Sequence, residues 1–380
     1  MQSQSLAHIL SALESLAPLS LAQPWDKVGL HVAGDGRPIR RICLAIDLLP
    51  EVLEDAAKGG ADLCVSYHPL LFKPMERLDG STWQSRVAMA AVRNGIAVYS
   101  PHTALDGVRD GVNDWLIAGL GAGTVAPLQH AAGVEQTQEY RVVVFVPVDA
   151  VDRVREAMSA SGAGHVGDYS ECSFGAMGVG TFLPGASTNP AIGARGKLER
   201  VSEVRLEMPC ARGALAPVLA ALRIAHPYEE PLFDVTRMEA RVDATQGVGR
   251  VMDLASTASG AELAARAKAY LRVASIQRSS RIGQSDTEHR RVAVCAGSGG
   301  SMLDAVVSSG ATLFLTGEMS HHEVIAARER GVEVLLAGHT NTERGYLPRY
   351  ADRLRAAGAG RGISLEVFVS AADQEVLHSV

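Results

Sequence analysis

Three stretches of the chain end an apolar run in a histidine. In "DLCVSYHPLLF" the run delivers His68 where a parallel strand hands its residues to a ligand crevice, and Pro69 stops the ladder. "VYSPHTALDGVRDGVNDWL" repeats the arrangement with His102, and Asp106 follows four residues later, so a helical turn after Pro101 places both on one face. "VEVLLAGHTNTERGYLPRY" gives a third case, in which Gly338 lets the backbone swing close and His339 and Glu343 are again four residues apart. A histidine and a carboxylate at that spacing can reach one ion. Imidazole with carboxylate suits Zn, Mn, Fe or Co better than Mg or Ca, which prefer oxygen alone.

Each stretch has a plainer reading. A lone strand-end histidine is more often structural, Asp106 and Asp110 could cap the helix of "GVNDWLIAGLG", and Thr340 or Asn341 could cap the turn after His339. Caps do not call for histidines at the ends of three strands, so the pattern favours His68, Asp106, His339 and Glu343 as ligands of one or two divalent ions. "TGEMSHHEVIAA" fails as a zincin motif, because Ala326 stands where the second histidine belongs. His321 and His322 read as a solvated helix face, and Glu318 as an outer group of the crevice. "VCAGSGGSMLDAV" puts a glycine-rich turn before a helix and could receive an anion, but it lacks the dinucleotide and P-loop spacings.

The elements that must hold these residues are strands alternating with helices. Strands are predicted at Ile42–Ile46, Leu63–Ser66 and Ala97–Tyr99, separated by helices in "PEVLEDAAKGG" and "SRVAMAAVRNG". The stretch "GAGTVAPLQHAAGVEQTQE" reads as a connection between domains. From Tyr140 to Val235 the order of strands and helices resembles a small split β-α-β domain. The α/β alternation resumes from Val248, with strands at Val292–Cys295, Leu313–Thr316, Val334–Ala337 and Leu365–Val369. Ligand candidates fall on both sides of the middle segment. The division is therefore 1–130 and 243–380 as halves of one metal-binding α/β core, with 138–238 inserted.

Composition fits this picture. With 380 residues, 47% hydrophobic and 21% charged, the chain is globular and large enough for two or three domains. Its 36 basic and 42 acidic residues leave a net charge of -6, which disfavours nucleic acid as a partner. Five scattered cysteines read as buried thiols, and with no signal peptide or apolar membrane span they point to the cytoplasm.

The blocks "PWDKVGLHVAG", "AIDLLPEVLEDAA", "SYHPLLFKPMERL", "YSPHTALDGVRDGVNDWLIAGLG", "GSGGSMLDAV", "LTGEMSHHEV" and "AGHTNTERGYL" resemble, in order, the NIF-three-like family, the GTP cyclohydrolase I type II homologues. "RIAHPYEEPLFDV" resembles the end of the insertion of its longer members. The resemblance implies a two-lobed α/β core with an inserted α+β ferredoxin-like domain of PII/CutA type, a dinuclear metal site on His68, Asp106, His339 and Glu343, and a ring-shaped homohexamer. Two positions depart from the family: Tyr67, where many members have a ligand histidine, is a weaker ligand, and Lys27 replaces an asparagine. The implied activity is metal-dependent hydrolysis of a nucleotide-like small molecule, either opening of a guanine ring or phosphoester hydrolysis, with His102 as the group for proton transfer. The alternative is a non-catalytic metal-binding assembly or regulatory protein whose insertion senses a ligand.

Overall fold

The structure, a computed structural model, describes residues 5–133, 138–238, 241–279 and 286–377. These divide into two compact units, one within Met1–Ala131 and Asp243–Val380, the other within Ala132–Val242.

The first unit has two sheets. In the five-stranded sheet Gly29–Ala33 lies at one edge, followed by Ala97–Ser100, Leu63–Ser66, Arg41–Ala45 and Glu366–Val369. The last four are mutually parallel and Gly29–Ala33 is antiparallel to its neighbour. Side chains alternate between faces along each strand. Ile42, Leu44, Leu63 and Val65 therefore turn to one core while Cys43, Ala45 and Cys64 turn to another, with Val52 and Val87 of the helices Pro50–Lys58 and Trp83–Arg93. Burial on both faces explains why these strands read as unbroken apolar runs.

The six-stranded sheet runs Gln277–Arg278, Glu333–Leu336, Leu313–Glu318, Glu288–Ser298, Arg241–Ser259, Gly123–Gly133. Its inward residues Val292, Val294, Leu313 and Leu335 join the same core as Ile42 and Val65. Helices Leu6–Leu16, Val112–Ala118 and Leu347–Ala359 add Leu13, Trp115 and Tyr350 to it. One continuous core thus unites both sheets.

The strand expected at Leu365–Val369 is present as Glu366–Val369, and it pairs in parallel with Arg41–Ala45 of the first half. One expectation needs correction: most of the stretch read as a connection is the strand Gly123–Gly133, beside Arg241–Ser259, while residues 134–137 lie outside the described residues. Its glycines and alanines hide a strand whose stability comes from hydrogen bonds to distant residues rather than from its own apolar pattern. The halves are interlocked, each giving a strand to the other's sheet. Arg250 adds a buried tie: Nε and Nη2 each donate at 2.7 Å to Asp114, Nη2 also donates to the Val108 carbonyl at 2.9 Å, and Nη1 donates to the Gly247 and Gly249 carbonyls.

The second unit is an antiparallel sheet in the order Phe174–Phe182, Glu199–Cys210, Tyr140–Pro147, Phe233–Arg237. Helices Val151–Ala160 and Leu215–Ala225 cover one face, where Val142, Val144, Leu206 and Met208 meet Val154, Met158, Val218 and Leu222.

Candidate metal centre

His68 stands two residues beyond the strand Leu63–Ser66, its amide bonded to the Ile46 carbonyl at 2.9 Å. The short helix His102–Gly107 follows the next strand and places Asp106 one turn after His102. Asp106 is inside this helix, and the helix Val112–Ala118 begins at Gly111 without a side-chain cap, so Asp106 is not that helix's cap. His339 follows the strand Glu333–Leu336, and a turn of 3-10 helix at Thr340–Thr342 carries the chain to Glu343.

These connections bring donor atoms of His68, His339 and Glu343 within 4.8 Å of one another. Glu343 is 3% exposed. Its Oε2 lies 3.4 Å from His68 Nε2 and its Oε1 3.5 Å from His339 Nε2. Oε2 is buried and has no hydrogen-bond partner. An orphaned oxygen on a buried carboxylate that lies between two imidazoles is costly by itself and is what a cation would satisfy. Gly297 makes room for the cluster: at φ +67 it approaches so closely that an added Cβ would fall 2.7 Å from Glu343 Oε1 and 3.1 Å from His339 Nε2. Gly338, at φ +91, takes a backbone conformation that favours glycine and turns the chain into His339.

Each of the three strand-end histidines places Nδ1 against a carboxylate. Asp47 Oδ1 is 3.0 Å from His68, Glu318 Oε1 2.9 Å from His339 and Asp26 Oδ1 2.7 Å from His102. A carboxylate accepts from Nδ1–H, which leaves Nε2 with a lone pair for a ligand and fixes the ring's direction. His68 and His339 ring centroids are 5.3 Å apart, and His68 and His102 5.4 Å. Burial alone would lower the His68 pKa, but the carboxylates of Asp47 and Glu343 beside its two nitrogens raise it to about 10, so without an ion the ring holds both protons and Nε2 gives up its own only when a cation replaces it.

Asp106 lies beside this group rather than in it. Burial raises its pKa to about 6, opposed chiefly by the hydroxyl of Tyr67, which donates to Asp106 Oδ1. Tyr67 is itself pushed well above the ordinary phenol value, first by burial and then by the charges of Asp106 and Glu343, so it is a neutral donor. His102 sits at φ +30, an uncommon backbone state for a residue with a side chain. Its ring packs edge-on against Tyr67, Trp25 and Phe72, at 5.7, 6.2 and 6.4 Å. Trp25 and Phe72 are 54% and 44% exposed and meet each other edge to face at 6.1 Å.

Glu318 orients His339, in keeping with its reading as an outer group. Asp47 and Asp26 were not singled out in the sequence, although both stand in family-like blocks, because a side chain's partner 21 or 76 residues away leaves no local trace. His321 and His322 are exposed at the start of the helix His321–Glu329, where Ser320 and Glu323 form a capping box. At the glycine-rich turn an added Cβ on Gly300 would lie 2.2 Å from Glu323 Oε1, so a carboxylate already faces the place offered to an anion. Lys27 lies in the loop that carries Asp26, and its carbonyl bonds His31 Nε2 at 2.9 Å.

Fold and site together define an α/β protein with a carboxylate-oriented His–His–Glu cluster. The Duf34/NIF3 (NGG1p interacting factor 3) family model matches residues 4–375, and the chain belongs to that family. A GTP cyclohydrolase 1 type 2 homolog of Halalkalibacterium halodurans is 34% identical over 336 residues, covering 88% of each chain. NIF3-like protein 1 of Rattus norvegicus is 33% identical over 377 residues, covering 99% of this chain and 93% of the relative. The solved structure of a Bacillus cereus protein related to NIF3 aligns over the whole of both chains with a TM-score of 0.74 and 29% identity. Among the described residues no helix is long and apolar enough to cross a membrane.

Proposed function

We propose that this protein is a metal-dependent hydrolase of a nucleotide-like substrate, with divalent cations held by His68, His339, Glu343 and Asp106. The observation that carries the reading is the buried Glu343 carboxylate between two imidazoles whose far nitrogens are on carboxylates, with its Oε2, on the His68 side, unpartnered. The donors suit Zn, Mn, Fe or Co. When bound, such an ion supplies Lewis acidity toward a carbonyl or phosphoryl oxygen and makes water a better nucleophile. Asp47 and Glu318 keep the two imidazoles aimed. Tyr67 acts through Asp106, holding its carboxylate by a donated hydrogen bond, and in this role it is a positioning residue rather than a ligand.

His102 is the group to move a proton, because Asp26 holds Nδ1, which leaves Nε2 for exchange, and the ring lies 5.4 Å from that of His68 and 5.7 Å from that of Tyr67. The exposed Trp25 and Phe72 support a substrate with a planar ring, which stacks on aromatic faces as nucleobases do. The names of the relatives favour the same class. The strand order of the second unit supports a ferredoxin-like insertion of PII/CutA type. A ring-shaped homohexamer completes the proposal, and light scattering reads it.

The test is turnover of nucleotides and phosphoesters by metal-loaded protein, with His339→Ala as control. Metal-dependent hydrolysis lost in the variant supports the reading. Metal bound at stoichiometric amounts with no turnover of any compound would remove the hydrolase and leave a metal-binding protein.

A further inference from the structure

The second unit holds a cavity of about 710 Å³ on the sheet face away from its two helices. That volume is within the roughly 300–1,000 Å³ typical of small-molecule sites. The wall is built by alternation along the strands: Ala176, Gly178, Gly180 and Phe182 share a face with Glu203 and Arg205 opposite them and in neighbouring pairs.

Glu203 is the polar centre of this wall. It is only 7% exposed, and its Oε1 accepts the Tyr228 hydroxyl at 2.8 Å. Its Oε2 lies along Gly180, where an added Cβ would come within 2.0 Å, so glycine at that position keeps the carboxylate accessible from the cavity side. The turn "HPY" fixes Tyr228: His226 Nε2 donates to the Phe145 carbonyl at 2.9 Å, and its Nδ1 accepts the Tyr228 amide at 3.0 Å. Burial keeps the Tyr228 phenol protonated and donating. Phe182 meets Tyr228 at 5.6 Å, and Phe145 also lines the space.

The charge of the lining is one-sided. Glu203, Glu229 and Glu230 line the cavity against a single cation, Arg205, which is turned to Glu207 at 3.1 Å. A carboxylate in a largely buried wall, with one oxygen taken by Tyr228 and the other open to the cavity, favours a cation or strong donor, and aromatic faces attract cations as well.

We infer that this cavity binds a small organic cation, an amidinium, guanidinium or alkylammonium group set against Glu203 Oε2 and flanked by Phe182 and Tyr228. The site is separate from the histidine cluster and does not depend on the hydrolase reading. Gly180 and the His226–Tyr228 turn are its structural supports, and Glu203 sets its specificity for charge.

The experiment is calorimetric titration of the full chain with benzamidine and with benzamide, its neutral counterpart of nearly the same shape. Saturable binding of one benzamidine per chain is expected, with benzamide weaker by about tenfold or more, as for loss of a charge-assisted hydrogen bond. Glu203→Gln should abolish that preference, Phe182→Ala should weaken benzamidine, and His339→Ala should leave both compounds unaffected. Equal affinity for the two compounds in the unaltered chain, or no saturable binding of benzamidine, overturns the inference whether or not the variants fold.

Discussion

Glu343 and His68 come from opposite ends of the chain and meet with Oε2 3.4 Å from Nε2, while no hydrogen bond satisfies that buried oxygen. The same carboxylate reaches His339 through its other oxygen. Three donors lie around one point, two of them oriented by Asp47 and Glu318, so under the proposed metal role affinity depends on groups that would never touch the ion. Asp47→Asn and Glu318→Gln should each weaken divalent-metal binding by roughly 10–100-fold, the usual effect of removing such a partner. Competition with a chelating dye measures this; unchanged affinity in both variants would mean that the imidazoles do not bind through the opposite nitrogen.

Tyr67→Phe removes the hydroxyl donated to Asp106. The buried carboxylate loses a hydrogen bond, at a cost of about 1–3 kcal/mol in the metal-free protein. Metal stoichiometry by elemental analysis should stay the same, since Tyr67 acts through Asp106. A lost equivalent of metal would make Tyr67 itself a ligand.

The buried Arg250 joins Asp114 and Val108 of the first segment to the strand on which it stands. Arg250→Met strands Asp114 and should destabilise the protein by about 3–5 kcal/mol in denaturant titration. Residues 1–130 or 243–380 expressed alone should hold no metal tightly, because the proposed ligands and the sheet strands come from both. Full metal content in either half alone would refute the shared site.

Excising residues 136–238 with a short bridge should leave a folded core that binds metal, since no ligand is lost and Gly123–Gly133 and Arg241–Ser259 are neighbours in one sheet. Circular dichroism and metal analysis of the shortened chain test this together. A well-folded variant without metal would show that the insertion contributes to the site.

Glu333 gives a pH dependence away from the site. Burial would raise its pKa, but His289, whose Nε2 lies 3.4 Å away, and the hydrogen bonds donated by Arg278 more than offset this and hold it below the usual glutamate value. A depressed carboxylate pKa contributes stability that is present above the unfolded value and lost as pH falls through the folded one. Melting temperature should therefore fall as pH is lowered from about 5 through the acid range, and less steeply in Glu333→Gln. Parallel curves for the two proteins would leave Glu333 without a part in acid unfolding.

The strand-end histidines, the four-residue spacings to Asp106 and Glu343, and the parallel strands were legible in the sequence because each is local. A strand buried on both faces must be an apolar run, and a turn of helix sets which residues share a face. What could not be read locally is partner choice. Nothing in "LEVFV" says that Glu366–Val369 lies beside Arg41–Ala45, or in "GTVAPLQHAAG" that it is a strand, because those hydrogen bonds join residues a hundred or more positions apart. The same holds for Asp47 and Asp26, whose role is set by the histidine each faces, and for Tyr67, whose hydroxyl the fold gives to Asp106. Sequence determined the kinds of donor this protein carries; the tertiary structure decided which atoms meet, because burial in a shared core sets both the distances and the cost of leaving a charge alone.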